Sequence, residues 1–291
     1  MSTRTIALAG QPPGRVVDDF KPSLIVHGEH SLCPGCGEPV AMRSVVELIE
    51  ELGFVQRAIA VFGIGCYTAF SSNFDIESLQ ALHGRAPSLA TGVKRTKPGT
   101  IVLTVQGDGD MVNEGLQEVL HAGARGESIT CVLLNNGVFG ETGGHMTATT
   151  VLGQRTKNTL EGREPGRHGY PILISNLLAQ LEGVDYVARG AVNSAGNVAR
   201  TRRMLRRALE LQAGGAGLTF VEILTMCPTG WFIETGEAPD YLDDKLAAVH
   251  RIGVLKDVTA GPSPEGVVGA DGGHPEGAAD AEGAGATASP G

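Results

Sequence analysis

Residues 100 to 110, "TIVLTVQGDGD", run from an apolar, β-branched segment directly into two aspartates set among glycines. The apolar part lacks strict alternation, as a strand buried on both faces of a parallel sheet should. Gly107 and Gly109 let the backbone turn sharply where that strand ends, and they admit a bulky anion close to the main chain. Asp108, placed between them, suits a hard cation. Gly-Asp-Gly is also an ordinary turn, so its surroundings decide the reading.

Working outward, similar runs recur at 58 to 64 ("AIAVFGI"), 129 to 134 ("ITCVLL"), 184 to 190 ("VDYVARG") and 218 to 224 ("LTFVEIL"). Helical segments are expected between them at 111 to 125, 171 to 182 and 201 to 212. An earlier helix is opened by Glu38 and Pro39, carries Ala41, Val45, Leu48, Ile49 and Leu52 on one face, and is closed by Gly53. The pattern predicts an α/β fold, a mostly parallel sheet with helices on both faces. Cys66 follows the first strand in "GIGC", Asp108 the second, Asn135 and Asn136 the third in "LLNNGVFG", and Cys227 the last in "TMCPTGW". Carboxyl ends of parallel strands share one edge, where open α/β folds bind ligands, so these groups point to one composite site. A divalent ion on a diphosphate takes few protein oxygens, and Asp108, the Asn136 amide and a nearby backbone carbonyl could supply them.

Two further thiols, Cys33 and Cys36, lie in "HSLCPGCGEPVAMR", residues 30 to 43. Five cysteines in 291 residues do not form a disulfide framework, and a Cys-x-x-Cys pair in a reducing compartment is more often metal-binding or redox-active. Thiolates suit iron–sulfur clusters and zinc equally well, and spacing does not choose between them. Cys131, inside an apolar run, reads as a small buried hydrophobe. A net charge of −9 argues against nucleic acid as the main partner. With 42% hydrophobic residues, no membrane-length apolar run and no signal-peptide pattern at the N-terminus, a globular cytoplasmic protein is expected. Residues 261 to 291 contain Glu265, Asp271, Glu276, Asp280 and Glu282 but no Lys, Arg or aromatic residue. The expected organisation is an arm over 1–26, a cofactor domain over 27–256 and a disordered acidic tail over 257–291.

"GDGD" followed by "NN", with 25 residues between Gly109 and Asn135, resembles the thiamine diphosphate and magnesium signature. "CPGCG", "GIGC", "LHGRAPSLATGVK", "QGDGD", "NNGVFGETGGHMTATT", "GQRT" and "CPTGW" occur in the order found in β subunits of 2-oxoacid:ferredoxin oxidoreductases. The resemblance covers roughly residues 27 to 245 and is nearest to the members acting on 2-oxoisovalerate and related substrates. It implies coenzyme A-dependent oxidative decarboxylation of a 2-oxo acid, with electrons passing through a [4Fe–4S] cluster on Cys33, Cys36, Cys66 and Cys227 to ferredoxin. It implies magnesium on Asp108, Asn136 and the Val138 carbonyl, and a cofactor cradle that includes Gly107, Gly109 and Thr142, with His83 and Arg85 near the diphosphate. The glutamate that activates the aminopyrimidine is implied on a partner α subunit, so no catalytic base is assigned to this chain. The resemblance also leaves room for ferredoxin-like subunits.

Two positions depart from the family pattern. Glu141 stands where relatives commonly carry Met, and "TGGH" ends in His145 where relatives carry Gln. A carboxylate near the thiazolium calls for a compensating partner, for which His145 is a candidate, and the pair is expected to act on substrate choice. Two other readings compete. One is a non-oxidative thiamine diphosphate-dependent decarboxylase or synthase subunit with a structural metal on the cysteines. The other is a nucleotide-binding or scaffolding subunit.

Overall fold

A computed structural model describes residues 25–258. Five apolar runs become strands β1 (Ala58–Phe62), β3 (Ile101–Gly107), β4 (Thr130–Asn135), β7 (Val184–Ala191) and β8 (Leu218–Leu224), joined in one sheet by β2 (Glu77–Gln80) and β9 (Gly253–Asp257). The strand order is β2-β1-β3-β4-β8-β7-β9, parallel throughout except for β9, which runs antiparallel to β7. A separate hairpin pairs β5 (Val138–Phe139) with β6 (His145–Met146).

Side chains along each central strand alternate between two apolar layers. On β4, Val132 and Leu134 enter one layer, with α1 (Glu38–Glu51), whereas Cys131 and Leu133 enter the other, with α2 (Ala86–Thr96) and α3 (Leu116–Ala124). Both faces of the sheet are therefore covered, which is why its strands read as continuous apolar runs. Short α4 (Pro165–His168) and α5 (Ile174–Ala179) precede β7; α6 (Ala195–Ala213) follows it and packs in the layer of α1. Past β8, α7 (Pro228–Trp231) and α8 (Ala238–Tyr241) lie in a third apolar cluster around Trp231 and Leu224.

The structure redraws three expected helices. The one predicted over 111–125 is split into a wide π turn, Gly109–Glu114, and α3. Gly115 at the break lies against Gly84; a Cβ there would come within 2.4 Å of the Gly84 carbonyl oxygen. This contact of two glycine backbones draws the His83 loop against the end of β3. The segment predicted over 171–182 is helical only at α5. Over 201–212 the helix is longer than predicted, because Ser194 caps it seven residues earlier by accepting a hydrogen bond from the Asn197 amide at 3.2 Å. Of the arm predicted over 1–26, only Ile25 and Val26 are described; Val26 forms a bridge with Phe74. Asp257 ends β9, and the acidic tail beyond Val258 lies outside the described residues.

Candidate functional site

β1, β3, β4 and β8 are consecutive neighbours in the sheet, and their carboxyl ends carry Cys66, Asp108, Asn135–Asn136 and Cys227. Two cavities open along that edge.

The smaller cavity, about 320 Å3, is lined by His83, Gly107, Asp108, Gly109, Asn136, Val138 and Thr142, among others. Asp108 is buried, and its Oδ2 accepts hydrogen bonds from the Thr147 and Thr149 hydroxyls, each at 2.5 Å. Burial pushes its carboxyl up to about 6, against the lowering effect of those hydroxyls. The Asn136 Oδ1 accepts from the Val138 amide at 3.0 Å, closing a tight turn, while the Trp231 indole donates to the Asn136 carbonyl at 2.7 Å. Asn135 donates to buried Glu222 at 2.7 Å and accepts through Oδ1 from the Thr149 hydroxyl at 3.2 Å. Gly109 has no room for a side chain, since a Cβ would meet the Phe139 ring at 2.2 Å. A buried carboxylate beside a glycine-walled space suits a cation that carries a phosphate-bearing cofactor.

The second aspartate of "GDGD" organises this end of the sheet. Asp110 Oδ1 accepts from the Gly84 amide at 3.0 Å and the Ile64 amide at 3.3 Å and pairs with His83 Nδ1 at 2.8 Å; Oδ2 accepts from Gln106 at 2.6 Å. His83 is thus seated on the cavity wall. Arg85 is not: it lines neither cavity and pairs with Glu118 at 2.8 Å.

The larger cavity, about 630 Å3, is lined by Cys33, Cys36, Cys66 and Cys227, whereas Cys131 is buried in the core. Cys33 and Cys36 are brought together by a turn in which the Cys36 amide donates to the Cys33 carbonyl at 3.1 Å, with Gly35 at φ +76°. Glycines cradle the sulfurs: a Cβ on Gly140 would lie 3.4 Å from Cys66 Sγ and 3.6 Å from Cys227 Sγ, and one on Gly230 2.8 Å from Cys227 Sγ. Burial, then the Glu38 carboxyl, pushes the Cys66 thiol up to about 12; burial does the same for Cys227. The thiols therefore need a cationic group to be held as thiolates. Among the described residues no three His, Cys, Asp or Glu side chains converge closely enough to hold a single ion.

Glu38 and Glu141 line both cavities and form part of the wall between them. Glu38, read from sequence only as a helix opener, is 3% exposed; its Oε1 accepts from Asn136 Nδ2 at 3.4 Å, and Oε2 has no hydrogen-bond partner among the described residues. Burial, then Asp108 and Glu141, pushes its carboxyl up to about 8. Among the described residues Glu141 forms no ion pair with His145, its candidate partner on this chain. His145 lies on the β6 strand and its Nδ1 bonds to the Thr142 hydroxyl at 2.9 Å, because the hairpin register sets it opposite Phe139.

Residues 63–223 match the family model described as thiamine pyrophosphate enzyme, C-terminal TPP binding domain. The 2-oxoglutarate synthase subunit KorB of Archaeoglobus fulgidus is 32% identical over 215 residues, covering 74% of this chain and 76% of the relative. The chain belongs to the 2-oxoacid:ferredoxin oxidoreductase subunits. Ketoisovalerate oxidoreductase subunit VorA of Methanothermobacter thermautotrophicus is 34% identical over 232 residues, covering 80% of this chain and 49% of VorA. The chain thus spans about half the length of the VorA relatives it matches. A solved 2-oxoglutarate:ferredoxin oxidoreductase from Magnetococcus marinus, with 2-oxoglutarate, coenzyme A and succinyl-CoA bound, shares the fold: TM-score 0.69 at 24% identity, covering 82% of this chain and 86% of that one.

Within this oxidoreductase subunit, the matched segment contains Asp108, Asn136 and Cys66 but not Cys33, Cys36 or Cys227. Three of the four cavity thiols therefore lie on segments flanking the thiamine pyrophosphate-binding core. Sequence reading passed over Glu38, Asp110, Thr147, Thr149 and Arg163. For Asp110 the signal was present in the doubled aspartate of "GDGD".

Proposed function

We propose that this chain is the thiamine diphosphate-binding subunit of an oxidoreductase that, with a partner subunit, converts a 2-oxo acid and coenzyme A to acyl-CoA and carbon dioxide and passes the electrons to ferredoxin. The observation that carries this reading is the shared wall: a cavity suited to a phosphate-bearing cofactor abuts one whose lining includes four thiols. Thiamine diphosphate, when bound, supplies the electron sink that lets the 2-oxo acid lose carbon dioxide. Asp108, Asn136 and the Val138 carbonyl would hold magnesium against its diphosphate, with Gly107 and Gly109 allowing close approach and His83, seated by Asp110, on the same wall.

Cys33, Cys36, Cys66 and Cys227 would hold a [4Fe–4S] cluster. Tetrahedral zinc draws sulfurs to about 2.3 Å from one centre. Four thiols in the lining of one cavity match the ligand number of either, and the neighbouring thiamine diphosphate gives a cluster a redox task. A partner α subunit is needed to provide the pyrimidine-facing glutamate and to complete the enclosure.

The test is anaerobic co-expression with the partner subunit, then quantification of thiamine diphosphate, iron and acid-labile sulfide. Addition of 2-oxo acid and coenzyme A should bleach the cluster's visible absorbance. Thiamine diphosphate with no iron would favour the non-oxidative reading, and absence of thiamine diphosphate would sink both.

A further inference from the structure

We infer that Phe232 is an anchor by which this chain docks on its partner subunit, seated there in an apolar pocket with a basic rim. The inference rests on the proposed function above, which requires that partner, and specifies the contact. Phe232 is the one residue other than glycine with positive φ among the described residues, at φ 59° and ψ 42°. It caps α7, donating its amide to the Pro228 carbonyl. Glycine and asparagine take this left-handed position readily, whereas a phenylalanine there is strained. The ring is also left 59% exposed. Its neighbours turn inward. Trp231 is buried, donates to the Asn136 carbonyl at 2.7 Å and has its ring 4.7 Å from that of Tyr241, and Ile233 packs against the same apolar cluster. Glycine would serve the chain reversal better, so the outward phenyl points to a contact outside the chain.

The surroundings indicate what that contact offers. Leu242 and Leu246 turn into the cluster around Trp231, while Glu237, Asp240 and Asp244, spaced by helical turns, are exposed on the same segment. From Glu234 to Ala248 the chain carries five acids and one cation, Lys245. An apolar ring beside an acidic face fits a pocket edged by Lys or Arg. Pro228 and Thr229 line the thiol cavity, so Phe232 stands three residues from the space that the partner is proposed to enclose. A phenyl kept from water throughout turnover suits a lasting subunit contact better than the brief encounter of an electron carrier.

The experiment uses the full chain and its co-expressed partner subunit, with Phe232→Gly and Phe232→Asn, both of which accept the left-handed backbone. Thermal unfolding and sedimentation of the chain alone are read beside its Kd for the partner over a range of salt concentrations. Either variant should match or exceed the wild-type Tm while weakening the Kd roughly tenfold or more, the scale of one buried phenyl. Wild-type affinity should fall as salt rises, and Asp240→Lys combined with Asp244→Lys should flatten that dependence. An unchanged Kd in both Phe232 variants, or a salt dependence that the charge reversals leave unmoved, would overturn the inference. A lowered Tm would do so by assigning the phenyl to a contact within the chain, and loss of self-association by assigning it to a second copy. Poorer use of ferredoxin at an unchanged Kd would assign it to the electron acceptor. All of these outcomes leave the proposed function standing; turnover by the cofactor-loaded chain with no partner would overturn that function's division of labour and the inference with it.

Discussion

Asp108 and the cysteines make separable demands on single side chains. Asp108→Ala removes the buried carboxylate proposed to hold magnesium in the smaller cavity. It should lower thiamine diphosphate affinity at least a hundredfold while leaving the far-ultraviolet circular dichroism unchanged; retention of the cofactor at native affinity would make "GDGD" only a turn. Cys227→Ala should abolish or convert the cluster, read as iron per chain, whereas Cys131→Ala, which trades one small buried apolar group for another, should leave iron content unchanged. Asp108, Cys66 and Cys227 were legible in the sequence because each is unusual for its place, just past a buried strand. Glu38 and Arg163 were not, because their meaning depends on neighbours far along the chain: Glu38 meets Asn136 across 98 residues.

The loop from Thr147 to Tyr170 shows the same contrast at the scale of an element. Arg163 is buried with no carboxylate partner among the described residues, and its guanidinium donates instead to backbone carbonyls of Thr147 (3.2 Å), Ala148 (3.1 Å), Thr150 (2.7 Å) and Tyr170 (2.8 Å). It thereby fixes the turn whose hydroxyls hold Asp108. Thr149→Val should lower magnesium-dependent cofactor affinity roughly tenfold through the lost hydrogen bond, measured by cofactor titration at fixed magnesium. Arg163→Met strands several buried carbonyls and should cost about 3 kcal/mol or more in denaturant unfolding. Strands such as β4 and β8 were readable because burial on both faces makes them uniformly apolar. By contrast β2, whose four residues are all exposed, and the two-residue arms of the β5–β6 hairpin carry no such pattern. Helix α2 was hidden in a stretch with Pro87 and Gly92, where periodicity is weak, and β9 owes its place to pairing with β7.

At the scale of the molecule, a buried polar network ties the segment around His250 and Arg251 to the site. Glu222 accepts from Arg189 at 2.7 Å, from Asn135 at 2.7 Å and from the Ser175 hydroxyl; Arg189 also reaches the Arg251 carbonyl at 3.1 Å, and His250 Nε2 lies 3.0 Å from the Thr149 carbonyl. Burial works to raise the Glu222 carboxyl, but Arg189 and His250 beside it and its hydrogen bonds hold it below its ordinary value. A depressed carboxylate stabilises the fold above the ordinary glutamate range, and that contribution is lost as pH falls through the folded-state value. Removing the cation leaves a buried charge unpaired, so Arg189→Met should cost about 3–5 kcal/mol at neutral pH in equilibrium unfolding.

Glu38 and Glu141, shared by the two linings, also offer a route by which the cavities can be thermodynamically linked. A group on one side that displaces these side chains shifts affinity on the other, and linkage makes the shift reciprocal. The cluster-free Cys227→Ala complex should therefore bind thiamine diphosphate with an affinity different from that of the loaded wild type. The same factor should govern how firmly the wild type retains iron against a chelator with and without thiamine diphosphate. Identical cofactor affinity in the two proteins would describe a rigid partition, and the cavities would then fill independently.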